Sequence, residues 1–274
     1  MPTKILPVIK YIVGLALDVL SKFKKIFLIR RNGIYYQVDI TESVDRAIFL
    51  RGWEPNTISI LHQLIGSGDT VIEVGANIGA HSLIISKIIG NDGRLISIEP
   101  TSYAFNKLQK NFNLNPSLKV NTTLLQTYIS NNDNEKVQKI RSSWQIHESN
   151  QSKEERDEQY DGEVTSLDRL FNDISNVNFL KIDVDGFDYK VLSGARKLIN
   201  KFKPIVFIEL GEYHLNLNGD SALDILKFFS KSNYEGVLET GETIESEHKV
   251  LSILKKQSHL SLIHISEPTR PTPI

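Results

Sequence analysis

The chain has no cysteine, a single methionine and two tryptophans among its 274 residues. Without cysteine there is no disulfide framework, no thiolate zinc or iron–sulfur site and no cysteine nucleophile. An excess of either charge is lacking too, since 32 Lys and Arg face 33 Asp and Glu. That balance excludes a nucleic-acid binder working through bulk positive charge. No clean apolar run reaches the roughly 18–20 residues of a membrane span. The nearest, Ile5–Leu20, is broken by Pro7, Lys10, Gly14 and Asp18. No small-residue cleavage site follows it, so it does not read as a signal peptide. The expected compartment is the cytoplasm.

Charge is unevenly placed. Lys4, Lys10, Lys22, Lys24, Lys25, Arg30 and Arg31 stand near the start with Asp18 as the only acid among them. Val8, Ile9, Tyr11, Ile12, Leu15, Ala16, Val19 and Leu20 share a broad helical face. Two readings of residues 5–25 follow. One is a helix packed on the domain, the usual fate of an amphipathic helix, with lysines at its C-terminal end. The other is a peripheral membrane contact, apolar face in lipid and lysines on anionic headgroups. The packed helix is the expectation. Ile26–Arg31 and Ile34–Ile40 then read as a hairpin, because Asn32-Gly33 suits the positive-φ pair of a type I′ turn. These features make residues 1–56 an N-terminal unit, ahead of a main domain at 57–259 that opens with a helix at Ile58–Ile65.

From Thr70 the pattern alternates. Strands are predicted at Thr70–Val74, Leu95–Ile98, within Lys119–Ser130, and at Phe179–Val184, Ile205–Leu210 and Tyr234–Glu239. Helices at Ala80–Ile89, Tyr103–Leu114, Tyr189–Asn200 and Ala222–Phe229 lie between them. Near-continuous apolar strands alternating with helices imply an α/β fold with a mostly parallel, doubly wound sheet. A polar excursion, about 131–163, interrupts the alternation, and its acidic part from Glu148 to Glu163 reads as a solvated flap.

Ligands of such sheets collect at the C-terminal strand ends. Here those ends carry acids: Glu73 before Gly75-Ala76-Asn77-Ile78-Gly79, then Glu99-Pro100, Asp183-Val184-Asp185, and Glu209. The glycines suggest a tight turn that a cofactor can approach closely, with free amides at the following helix start. Glu99 is placed to accept the hydroxyls of a ribose. A dinucleotide would want Gly where Asn77 stands, and Glu73 would repel its pyrophosphate. An ammonium group would instead suit Glu73. S-adenosyl-L-methionine carries an ammonium, a ribose and no phosphate, so it is favoured as the cofactor.

Thr70–Gly79, Leu95–Pro100, Thr165–Leu170, Leu180–Gly186, Val191–Ala195 and Lys203–Glu209 occur in this order. As a set running from about Trp53-Glu54 to Glu209 they resemble the FkbM family of S-adenosylmethionine-dependent methyltransferases. The resemblance implies a Rossmann-like class I methyltransferase fold. It also implies O-methylation of a sugar, glycan or polyketide-like hydroxyl, with a role in polysaccharide biosynthesis among the possibilities. Glu73, Asp185 and Asp188 depart from the commoner Asp, Glu and Glu of the family, each keeping a carboxylate. Glu73, Gly75, Ala76, Asn77, Gly79, Glu99 and Pro100 are therefore the expected cofactor residues.

Methyl transfer from a sulfonium needs an aligned acceptor oxygen and a home for its proton. Asp183 is the first candidate to hold or deprotonate the hydroxyl and Glu209 the second, with Asp185 and Asp188 shaping the rim. A structural reading makes Asp183 the cap of the helix starting near Tyr189. Asp183, Asp185, Glu209 and Glu212 would also suit Mg²⁺ or Mn²⁺, although no metal is expected. The seven histidines lack the helical spacing of a zinc motif. His81 reads as part of a helix start, His214 as an alternative base, and His147 beside Trp144 as a loop residue. Two other classes compete: a metal-dependent glycosyltransferase using Asp183-Val184-Asp185, and a non-catalytic S-adenosylmethionine-binding module.

The end of the chain differs in character. Leu260–Arg270 resembles the translated end of a transposase-type sequencing adapter, and Pro268, Pro271 and Pro273 crowd around it. Residues 260–274 are accordingly expected to be a non-native tail, with a last sheet strand near Val250–Leu254 or beyond.

Overall fold

The structure, a computed structural model, describes residues 5–137, 139–141, 146, 157–239, 241–244, 246–254 and 260–266. The chain opens with α1 (Ile5–Ser21) and the antiparallel pair β1 (Ile26–Arg31) and β2 (Ile34–Asp39). Asn32 at φ 50° and Gly33 at φ 84° supply the two positive-φ residues the hairpin requires. Two helices follow, α2 (Ser43–Leu50), which the sequence pattern did not reveal, and α3 (Pro55–Leu64). The hairpin is fastened to the main domain. Ile34, Tyr36 and Val38 bury one face in the same apolar layer as Val71 and Leu83. Asn111 and Asn115 accept hydrogen bonds from the backbone of Gln37 and Tyr35, each at 2.9 Å.

The remaining elements in chain order are β3 (Thr70–Val74), α4 (Ser82–Ile89), β4 (Arg94–Ile98), α5 (Ser102–Asn113), α6 (Pro116–Lys119), β5 (Thr122–Leu125) and β6 (Tyr128–Ile129). Next come β7 (Lys139–Arg141), β8 (Asp157–Gln159), β9 (Val164–Thr165), α7 (Leu167–Leu170), β10 (Phe179–Ile182), α8 (Asp188–Ser193) and α9 (Arg196–Phe202). The last are β11 (Ile205–Leu210), α10 (Glu212–Leu217), α11 (Ala222–Ser230), β12 (Tyr234–Leu238), α12 (Glu247–Leu254) and β13 (Leu260–Ser266). Among the described residues the main sheet has the order β12-β13-β11-β10-β3-β4-β5. It is parallel from β11 to β5, and β13 runs antiparallel between β11 and β12. The strand order reverses between β3 and β10, where a doubly wound sheet opens its ligand crevice.

Alternation along each strand divides the core. Ile72, Val74, Ile98, Leu180 and Ile182 face the layer that holds Val191, Ile199 and Ile225. Val71, Leu95, Phe179 and Phe207 face the layer with Leu83, Phe112 and the hairpin. Full burial of such side chains contributes roughly 1.5–3 kcal/mol each.

The last strand, expected near Val250–Leu254 or beyond, lies beyond those residues. Val250 and Leu254 belong to a helix, α12, and turn into the core. The closing strand is β13, inside the stretch set apart as a tail, so the sheet extends past residue 259. Leu260 and Leu262 are buried on one face and Ile263 on the other, as an internal strand demands. Residues 267–274 lie outside the described residues. So do Trp144, His147 and most of the acidic stretch within 148–159; what is described of the excursion is the pairing of β7 with β8 and a short parallel bridge of β6 with β9.

Candidate active site

The glycine turn after β3 is built as the tight turn its spacing suggests, and the surrounding protein adds a further reason for glycine. Gly75 and Gly79 have φ of 89° and 87°. A Cβ on Gly75 would stand 1.8 Å from the carbonyl oxygen of Asp183, and one on Gly79 2.7 Å from Cδ1 of Leu108. Glycine is thus imposed by backbone conformation and by the protein's own neighbours, whether or not a ligand approaches. The amides of the turn are also engaged. Gly75 and Ala76 donate to the carbonyl of Ile98, Gly79 to Ala76, Asn77 to Glu99, and Ile78 to the Asn77 side chain. No cradle of free N–H groups is left at these positions for a pyrophosphate.

Register places the acids. Val71 and Glu73 of β3 share a sheet face with Leu95 and Ser97 of β4. Phe179 and Lys181 of β10 lie on that face too, with Glu73 and Lys181 directly paired. Extending the alternation sets Asp183 and Glu209 on the same side, above the α4 layer. Glu73 lies beneath the turn, 1% exposed, accepting from Ser82 Oγ at 2.5 Å and Ser97 Oγ at 3.0 Å. It does not reach the cavity, which corrects its reading as a direct partner for a ligand's ammonium. Burial raises its pKa, while the Lys181 ammonium works against that rise.

Lys181 was not anticipated. Its side chain is fully buried, and Nζ donates to Oδ2 of Asp183 at 2.7 Å. Burial pushes Asp183 upward, but the Lys181 charge and a hydrogen bond from Glu209 outweigh it and hold the carboxyl at about 2. Glu209 takes the opposite course. Burial, then the Asp183 charge beside it, raise it to about 10, so at neutral pH it is the protonated partner of the pair. In this state Glu209 donates the hydrogen bond that Asp183 accepts.

Asp183 also lines a cavity of about 190 Å³ at the strand ends, together with Gly75, Asn77, Glu99, Pro100 and His214. Thr127, Tyr128, Phe187 and, from the polar excursion, Ile140 complete much of the wall. Of the expected cofactor residues, Glu73, Ala76 and Gly79 are not on it, nor is Glu209. Glu99 is buried and accepts from Asn77 N at 2.9 Å and from the N–H and hydroxyl of Thr101 at 3.0 and 2.6 Å. A carboxylate has about four acceptor sites, so Glu99 has room for about one more hydroxyl and not for both of a ribose.

The other acids have separate tasks. Asp185, at φ 49°, stands exposed on the rim. Asp188 is buried and accepts from the amides of Val184 and Gly186 at 3.2 and 2.9 Å, so it holds the loop and does not shape the rim. It, and not Asp183, begins α8. Glu212 accepts from the amide of Ala222 and is not among the residues whose ligand atoms gather with those of Asp183. Asp185, the second acid of the Asp-x-Asp triplet, lines the cavity with Asp183 but is not among those residues either, which among the described residues are Glu54 and His81. His81 precedes α4 without capping it. It is buried, its pKa lowered to about 3 by burial and then by the Lys181 charge, and its Nε2 lies 3.6 Å from Oε2 of Glu54.

The family profile described as "Methyltransferase FkbM domain" matches residues 73–235. An FkbM methyltransferase from Methylobacillus flagellatus KT superposes with a TM-score of 0.46 at 16% identity, over 74% of this chain and 44% of that one. The chain thus spans less than half the length of that relative. Fibrillarin from Aeropyrum pernix, in complex with natively bound S-adenosyl-L-methionine, gives a TM-score of 0.45 at 12% identity, over 88% and 83% of the two chains. No curated protein matches the sequence. The profile covers more than half of the chain and its strands follow the expected Rossmann-like class I order, so the chain belongs to the FkbM family of methyltransferases.

Proposed function

We propose that the cavity binds S-adenosyl-L-methionine and that the chain methylates a hydroxyl of a sugar, glycan or polyketide-like acceptor. The observation that carries this reading is the placement of Glu99 and Asp183 on one cavity wall. The first is a buried carboxylate with acceptor capacity to spare for a ribose, and the second an ionised carboxylate where the acceptor would lie. The absence of free turn amides at Gly75–Gly79 supports a phosphate-free ligand over a dinucleotide.

When bound, S-adenosylmethionine supplies a methyl group already activated by its sulfonium. The chain's own task is to align the acceptor oxygen and receive its proton. Asp183 accepts the hydrogen bond of the acceptor hydroxyl, with Lys181 and protonated Glu209 fixing the carboxylate's orientation. A carboxylate held at about 2 is a weak base toward a neutral alcohol. It suffices once the oxygen gains positive charge by forming its bond to carbon, so the proton moves late.

Calorimetry with S-adenosylmethionine, S-adenosylhomocysteine, NAD and UDP-sugars tests the reading. The first two should bind, and Glu99→Ala should abolish binding. Binding of NAD or a UDP-sugar alone would overturn it. Transfer of a radiolabelled methyl group to glycan hydroxyls then separates an enzyme from a module that binds S-adenosylmethionine without turnover.

A further inference from the structure

We propose that Glu54, His81 and Asp183 form a site for one divalent transition-metal ion. The three come from separate elements, the residue before α3, the entrance to α4 and the end of β10. They still offer one ligand atom each within 4.8 Å of the others. Metal bonds of ~2.0–2.2 Å bring the ligand atoms of one ion to roughly 3–3.6 Å from one another; His81 and Glu54 already stand at 3.6 Å, and movements of up to about an ångström would close the rest of the site. An independent observation points to a ligand. Nε2 of His81 is buried with no hydrogen-bond partner, and it faces Oε2 of Glu54 at 3.6 Å, beyond hydrogen-bond length. A buried polar nitrogen left unmatched is costly, and an ion between imidazole and carboxylates would remove that cost.

The surroundings fit. Lys181 holds Oδ2 of Asp183 and so orients the carboxylate, as the outer partner of a metal ligand does. Thr57 Oγ1 donates to Glu54 Oε2 at 3.2 Å and steadies the second carboxylate. One imidazole nitrogen with two carboxylate oxygens suits Mn²⁺, Co²⁺ or Zn²⁺ better than the all-oxygen preference of Ca²⁺. This set shares only Asp183 with the one the sequence suggested, because Asp185 lies on the rim and Glu212 caps α11. Asp183 also lines the cavity, so the ion's open positions would border the acceptor. Binding of the ion stands by itself; a role in holding the acceptor hydroxyl rests on the methyl-transfer reading.

Chelator-stripped protein titrated with Co²⁺, followed by visible absorption, should bind one ion per chain. Mn²⁺-loaded wild type should show imidazole nitrogen coupling in its electron spin echo. Glu54→Gln and His81→Gln should each weaken Co²⁺ at least tenfold, and Glu212→Gln should not. Wild type that binds S-adenosylmethionine but no Co²⁺ or Mn²⁺ would overturn the ion while leaving the methyl-transfer reading intact. Unchanged affinity in folded Glu54→Gln, or a spin echo without nitrogen coupling, would overturn it equally.

A separate surface carries a second proposal. Over residues 11–21 the edge of α1 that meets the domain is narrow: Leu17 is buried, and Arg46 bonds Asp18 at 2.7 Å and the Gly14 carbonyl at 2.5 Å. Tyr11, Ile12, Leu15, Val19, Leu20 and Phe23 are exposed, Phe23 to 85%, and so are Ile26 and Leu28 just beyond. The packed helix expected from the sequence is therefore only half realised. Lys22, Lys24, Lys25 and Arg30 accompany this apolar face with positive charge. We propose that it lies on an anionic phospholipid surface, whose chemistry complements both features. The protein should sediment with phosphatidylserine-containing vesicles more than with pure phosphatidylcholine, and lose that binding on combined Leu15→Glu, Val19→Glu and Phe23→Glu substitution. Binding unaffected by these changes would overturn the proposal. So would dimerisation, seen by ultracentrifugation in wild type without vesicles and abolished by the same substitutions.

Discussion

Lys181 Nζ and Asp183 Oδ2 meet at 2.7 Å with the lysine wholly removed from water. In register beside the lysine stands Glu73, equally buried. Removing one partner of such an arrangement strands the others as buried charges. Lys181→Met should therefore cost about 3–5 kcal/mol, measured by urea denaturation at neutral pH. The double change Lys181→Met with Glu73→Leu should recover part of the loss, since it removes an orphaned carboxylate along with its cation.

Glu209 offers a sharper test of who carries the proton. If its role is to donate to Asp183, the amide of Glu209→Gln can replace it, and turnover should stay within a few-fold of wild type. Glu209→Ala should lose about tenfold or more, and Asp183→Asn about 10²-fold or more. Stability has a defined sign as well. The folded carboxyl, raised from 4.5 to about 10, stays protonated while the unfolded one ionises. This group's contribution is present below about pH 4.5 and is lost as pH rises toward 10. Glu209→Gln lacks that term, so its stability relative to wild type should grow between pH 6 and pH 9 in denaturant titrations.

Much of this arrangement was legible locally. Asn32-Gly33 announces its hairpin because a two-residue turn is dictated by its own backbone. Glu99 and Asp183 announce themselves because a carboxylate ending an apolar strand has no packing reason. Lys181 escaped notice because a single lysine inside Phe179–Ile182 has meaning only once β3 is set beside it, a matter of register between distant segments. The pairing of Glu54 with His81 is hidden likewise, as it depends on how α3 and α4 approach the end of β10. The turn glycines announce a tight turn but not their full setting: the atom that excludes a side chain at Gly75 is the carbonyl oxygen of Asp183, which no spacing rule reveals.

Gly75→Ala follows from that attribution. Its Cβ would meet the Asp183 carbonyl at 1.8 Å, and the residue would keep a φ of 89° that L side chains rarely adopt. Backbone on backbone cannot yield as a side-chain tip can. The substitution should lower the melting temperature of the ligand-free protein markedly or leave it insoluble. Were the glycine needed only for ligand clearance, the variant would melt normally and lose only S-adenosylmethionine affinity.

His264 carries the last prediction. It sits in β13 stacked on Phe229, with ring centroids 3.5 Å apart and planes 8° from parallel, and both ring nitrogens are buried without a hydrogen-bond partner. Burial lowers its pKa from 6.5 to about 3. The folded chain therefore keeps the ring neutral while the unfolded chain takes up a proton. That contribution to stability is intact above about pH 6.5 and is lost as pH falls toward 3, at up to about 1.4 kcal/mol per pH unit. His264→Phe keeps the stack and removes both unmatched nitrogens. It should raise stability at pH 7 by about 1–3 kcal/mol and flatten the acid limb between pH 6.5 and 4 in urea titrations. An unchanged acid limb would mean that the imidazole finds a partner or water in solution.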